Sequence, residues 1–146
     1  QGYRSAYEKE NLPVRESLIY HGDYTIQGGV RGIEKLVADN PDMTAVFVTN
    51  YEMIMGAVIG MNELDLKIPE QLSMIGFDNL QFARACSPKL TIVAQPTSGI
   101  AREVASIMLK RLGEAESEET EPITEKLGAE IIMGKSVRVL KEKENS

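Results

Sequence analysis

Apolar positions along this chain follow two spacings in turn, and their alternation predicts strands separated by helices. Short apolar runs occur at Ser17 to Tyr20 (SLIY), Ala45 to Val48 (AVFV), Leu72 to Phe77 (LSMIGF), Leu90 to Ala94 (LTIVA) and Ala129 to Met133 (AEIIM), lengths that suit strands. AVFV is almost wholly apolar, as expected of an interior parallel strand covered on both faces. Between the runs, Ile26, Val30, Ile33 and Val37 share one face of a helix that Thr25 or Asp23 can cap and that Asn40 and Pro41 stop. A second helix, about Glu52 to Leu64, is apolar nearly all round, more than a helix packed on a sheet alone can hide. A third, capped by Thr97 or Ser98 and closed by Gly113, carries a broad stripe that includes Ile100, Val104, Met108 and Leu112. Tyr3, Ala6 and Tyr7 read as the tail of a helix ended by Asn11 and Pro13, and Leu80 to Lys89 as a loop or short helical turn broken by Pro88. Strands alternating with helices at this spacing imply right-handed β-α-β units. The expected fold class is α/β, an open parallel sheet with helices on both faces.

Composition changes the picture in a few places. The 146 residues suffice for one domain with a substantial core, and the net charge of -6 argues against this stretch itself gripping a polyanion. Five glutamates in the eight residues Glu114 to Glu121 predict a solvated connector, and Lys141 to Ser146 a tail. No apolar run approaches a membrane span, no signal peptide is visible, and a chain opening on Gln1 reads as a piece of something longer. The single cysteine, Cys86, forms no internal disulfide and is read as a small core or interface residue. No metal site or cofactor is expected. His21 has no nucleophile motif beside it, and Gly28, Gly29 and Gly32 lack the G-x-G-x-x-G spacing of a phosphate cradle.

The candidate chemistry lies where strands end. Gly22-Asp23-Tyr24, Thr49-Asn50-Tyr51 and Asp78-Asn79 follow three runs, and in a parallel sheet all carboxyl ends share one rim. Tyr24 and Tyr51 offer flat faces, Asn50 and Asn79 donate and accept, Asp78 and perhaps-second carboxylate Asp23 accept from hydroxyls, and Gln95 adds an amide after the next run. Such a set suits a small polyhydroxylated ligand.

Two stretches, I-P-E-Q-L-S-M-I-G-F-D-N from Ile68 to Asn79 and P-K-L-T-I-V-A-Q-P from Pro88 to Pro96, resemble the lactose-repressor and galactose-repressor family. Further matches are Gly2-Tyr3, Gly22 to Tyr24, and A-V-F-V-T-N-Y-E-M-I-M-G-A from Ala45 to Ala57. The resemblance implies a non-enzymatic, cytoplasmic transcription regulator, a repressor whose two-lobed core resembles periplasmic sugar-binding proteins. It implies a sugar-like effector in the interlobe cleft, operator DNA bound by an N-terminal headpiece outside this chain, and room for a protein corepressor. By motif match Asp78 and Asn50 hydrogen-bond ligand hydroxyls, Tyr24 is an aromatic wall and Gln95 sits at the hinge side. Tyr51 stands where many members have aspartate and is kept as a ligand contact. The family's homodimers imply an interface at Met53, Met55, Val58, Ile59, Phe82 and Cys86. On this reading residues 1–95 and about 124–141 form the C-terminal lobe, 96–113 a helix that packs on the other lobe, 114–123 an acidic linker and 142–146 a tail. The alternatives are a periplasmic sugar-binding protein of a transport system, and a flavodoxin-like catalytic or phospho-accepting domain around Asp78.

Overall fold

A computed structural model describes residues 1–78, 80–113 and 122–140. Asn79, most of the expected linker and the tail lie outside the described residues. The chain runs α1 (Gly2–Lys9), a 3-10 turn (Glu16–Leu18), α2 (Ile26–Asp39), β1 (Ala45–Val48), α3 (Tyr51–Glu63), β2 (Ser73–Phe77), α4 (Leu80–Ala85), β3 (Thr91–Ala94), α5 (Thr97–Gly113) and β4 (Glu130–Ile132). The sheet has the order β1-β2-β3-β4, the first three strands parallel and β4 antiparallel to β3. The fold class is α/β with a mostly parallel open sheet.

Register fixes the two faces. Val48 pairs with Gly76 and Gly76 with Ile92, so these residues point to one side together with Val46 and Met74. Ile54, Ala57 and Met61 of α3 pack there, each at most 1% exposed, in one cluster with Val48, Met74 and Ile92. Gly76 is required at that contact, since a Cβ would stand 2.9 Å from the Ile54 side chain. The α3 helix in turn receives α2 almost backbone to backbone. A Cβ on Gly56 would lie 1.8 Å from the Ile26 carbonyl oxygen, and one on Gly29 would lie 2.3 Å from that of Met53. The glycines of α2 therefore serve a helix crossing.

Local chemistry starts both helices as the sequence leads one to expect. The Thr25 hydroxyl accepts from the Gly28 N–H at 2.9 Å, and Asn50 Oδ1 accepts from the N–H groups of Glu52 and Met53 at 3.1 and 3.0 Å.

Two expectations about strands are corrected. Ser17 to Tyr20 is not a sheet strand: it enters as a 3-10 turn, and only from Ile19 is the backbone extended. The fully buried Asn40 accounts for the turn, because its amide donates to the Ser17 carbonyl at 2.8 Å while its Oδ1 accepts from the Ser17 hydroxyl at 2.7 Å. AVFV is likewise an edge strand rather than an interior one, and Phe47 is 49% exposed.

The chain closes the amino end of the sheet with residues after β4. Ser136, wholly buried, accepts from the Thr91 N–H at 2.8 Å and donates to the Met74 carbonyl at 2.5 Å through its hydroxyl, and its own carbonyl accepts from the Met74 N–H. Gly134 makes the approach feasible, since a Cβ would lie 2.4 Å from the Lys89 carbonyl oxygen. The α5 stripe, by contrast, stays in solvent: Val104, Met108, Leu109 and Leu112 are all more than half exposed.

Candidate ligand site on the carboxyl rim

The polar strand ends share one rim because the strands that carry them are parallel and adjacent. Asn50 lies two residues past Val48, and Asp78 two past Gly76, its register partner. Gln95 follows Ala94 at the end of β3, beside Asp78. Neighbouring strands sit about 4.8 Å apart, so three consecutive rim positions fall within the reach of a monosaccharide-sized ligand.

Asp78 and Gln95 form one unit. The Gln95 backbone N–H donates to Asp78 Oδ1 at 3.0 Å and the Gln95 side chain donates to Oδ2, while the Asp78 N–H donates to the Val93 carbonyl at 2.8 Å. The carboxylate is thereby fixed in direction. Each oxygen keeps acceptor capacity for a hydroxyl, since an ionised carboxylate offers about four lone-pair sites.

Tyr24 and Asn50 form a second group. Both line a cavity of about 740 Å³ together with His21, Gly22, Thr49 and Met53, whereas Asp78 and Gln95 lie outside its lining. Asn50 spends Oδ1 on the α3 cap, which turns its Nδ2 into the group that can serve a ligand, as a donor. Tyr24 is 74% exposed, and Tyr51, the first residue of α3, is half exposed. Of the five residues expected to touch ligand, two are joined by hydrogen bonds and two share a cavity; Tyr51 flanks Asn50.

Asp23 is occupied differently. Its Oδ1 accepts from the Thr25 hydroxyl at 2.7 Å and N–H at 3.1 Å, and its Oδ2 accepts from Arg31 at 2.6 Å. The Thr25 hydroxyl, then its N–H, then the Arg31 charge hold this carboxyl below its ordinary range. It orients the entry to α2.

One feature of the rim escaped sequence reasoning. Tyr24 and Asp78 both have left-handed backbones, at φ 62° and 58°. Aspartate tolerates this region, but for a tyrosine it is strained, and such residues concentrate where a ligand is held. Neither lies in a glycine or Asn-Gly turn pattern that would have signalled it.

The residues expected at a dimer interface divide. Met53, Val58, Phe82 and Cys86 are half-buried against the chain's own core, and burial pushes the Cys86 thiol pKa up. Ile59 is 42% exposed, and Met55 is half-buried without joining that core. Among the described residues no group of three or more His, Cys, Asp or Glu side chains could hold a metal ion, and no helix is long and apolar enough to cross a membrane.

Known proteins share this arrangement. A model of the periplasmic binding protein-like domain matches residues 1–137. Catabolite control protein A of Priestia megaterium is 37% identical over 110 residues, 75% of this chain and 33% of that protein. The HTH-type transcriptional repressor PurR of Yersinia pestis is 36% identical over 112 residues, 77% of this chain and 33% of the repressor. The chain thus spans about a third of the length of these curated relatives. Among solved structures, the transcriptional regulator CelR in complex with cellobiose superposes with a TM-score of 0.82 at 30% identity, over 93% of this chain and 41% of that one. A LacI family transcriptional regulator from Enterococcus faecium with bound ribose gives 0.80 at 28% identity, over 96% and 51%.

Proposed function

Since the chain belongs to the periplasmic binding protein-like domain family, in the form carried by LacI-family transcriptional regulators, we propose that it senses a small sugar or sugar derivative on its carboxyl rim and dimerises through α3 and α4. The observation that carries the ligand reading is the Asp78 carboxylate, aimed by Gln95 beside Asn50 on a rim flanked by the exposed ring of Tyr24. Hydroxyl groups would donate to Asp78 and accept from Asn50 Nδ2, and a pyranose face would lie on Tyr24. The cellobiose and ribose held by two structural relatives support a sugar as the ligand class. Operator DNA would be held by a headpiece elsewhere in a longer cytoplasmic protein, consistent with the acidic balance of this chain. Effector binding would act there through its differential affinity for two arrangements of the regulator.

A thermal-shift screen of the full-length regulator against sugars, sugar phosphates and nucleosides tests this reading. A hit that disappears in both Asp78→Ala and Asn50→Ala supports the rim, and a hit indifferent to both overturns it. For the dimer, Ile59→Lys paired with Met55→Lys should yield monomers in sedimentation velocity; an unchanged sedimentation coefficient removes α3 from the interface.

A further inference from the structure

The cavity of about 740 Å³ continues from the rim along the free edge of β1. One wall is that edge. The Thr44 carbonyl accepts from the Ser73 N–H at 2.9 Å, which turns Thr44 toward β2, and backbone alternation then aims the N–H and C=O of Ala45 and Phe47 into the groove. The opposite wall is Leu18, Ile19 and Tyr20, extended at Ile19. Ile33 and Leu36 of α2 line it as well, as do Tyr3 and Tyr7 of α1.

Three features say what fits between these walls. Parallel strands are ordinarily covered by pairing on both sides, and natural edge strands carry charge or proline, yet β1 reads AVFV. The α2 helix leaves the Ser17 to Tyr20 segment and returns to β1 on the other side of the groove, so its crossover spans the groove. The α1 helix buries no residue, and Gln1 before it lines the same groove.

We propose that this groove seats one parallel β-strand, largely apolar and about as long as the four residues of β1, belonging to a longer polypeptide that runs into Gln1. The occupant follows from the connection. A strand entering here and continuing into α1 and then Ser17 to Tyr20 makes a β-α-β unit, the crossover that parallel neighbours require. The relatives have room for it, since this chain spans 33% to 51% of their lengths. With the strand in place β1 becomes interior and Ile19 gains a partner.

Amide hydrogen exchange of Phe47 and Ala45, measured on residues 1–146 alone and on the longer polypeptide at two protein concentrations, tests the assignment. Exchange should slow by roughly a hundredfold or more in the longer polypeptide, independent of concentration. Phe47→Pro gives a second reading: the isolated chain, with an edge strand, should tolerate it, and the longer protein, with an interior one, should lose thermal stability. Equal exchange in both proteins, equal tolerance of Phe47→Pro, or protection in the short chain that rises with concentration, as for a second copy in the groove, would overturn it.

Discussion

Gln95 holds both oxygens of the Asp78 carboxylate, one through its backbone N–H at 3.0 Å and the other through its side-chain amide. The pair ties the end of β2 to the end of β3 and aims the carboxylate with no ligand contribution. Removing the charge should cost more than removing the aim. Asp78→Asn is expected to weaken effector binding about 10- to 100-fold, equivalent to a charge-assisted hydrogen bond of about 1.5–3 kcal/mol, and Gln95→Ala by less. Isothermal titration with the screening hit ranks the two; a larger loss in Gln95→Ala would show that the amide, not the carboxylate, meets the ligand.

Tyr24 should separate stability from binding. A non-glycine residue in the left-handed region costs about 1–2 kcal/mol, which glycine avoids. Tyr24→Gly should therefore raise the melting temperature by a few degrees while lowering effector affinity. Calorimetry with and without ligand reads both, and unchanged affinity would remove the tyrosine as a wall of the site.

Acid should loosen the segment before α2 earlier than the sheet. Glu16 is held below its ordinary range by hydrogen bonds from Arg4, Asp42 by those from Arg15, and Asp23 by those from Thr25 with Arg31 adding charge. A carboxyl with a depressed folded-state pKa contributes stability that is complete above its unfolded value, about 4, and is lost as pH falls through the folded value. NMR peak positions of residues 15–25 should therefore shift between pH 4 and pH 2 before those of β2 and β3, and more steeply at low salt. Simultaneous loss of both regions would contradict this order.

The crossing of α2 and α3 leaves no room for a methyl group. Gly56→Ala would drive a Cβ onto the Ile26 carbonyl oxygen, so despite the higher helix propensity of alanine it should destabilise the chain by about 1–3 kcal/mol. Urea denaturation measures this, and a stability gain would mean that the helices separate at little cost.

Much of this was legible in the sequence, and the failures share a cause. Helix periodicity and the Thr25 and Asn50 caps located α2 and α3, and the polar residues closing each apolar run located the rim. The period-2 and apolar-run rules read SLIY and AVFV as sheet strands side by side in the interior, because they report what a segment is fit to bury and not which neighbour is present to bury it. The groove between Ile19 and β1 is where that neighbour is decided. Left-handed backbones at Tyr24 and Asp78, and the Asp78–Gln95 pairing, depend on contacts seventeen residues apart or on local strain, and neither leaves a composition signal.

Ser136 also sets an order for synthesis. Its hydroxyl reaches Met74, 62 residues earlier, and Thr91, 45 residues earlier, so the amino end of the sheet keeps unsatisfied backbone groups until almost the whole described chain has left the ribosome. A nascent chain halted after β3 would hold its strands and helices in outline but lack the clasp that closes them. Such an intermediate is the species chaperones and proteases would meet.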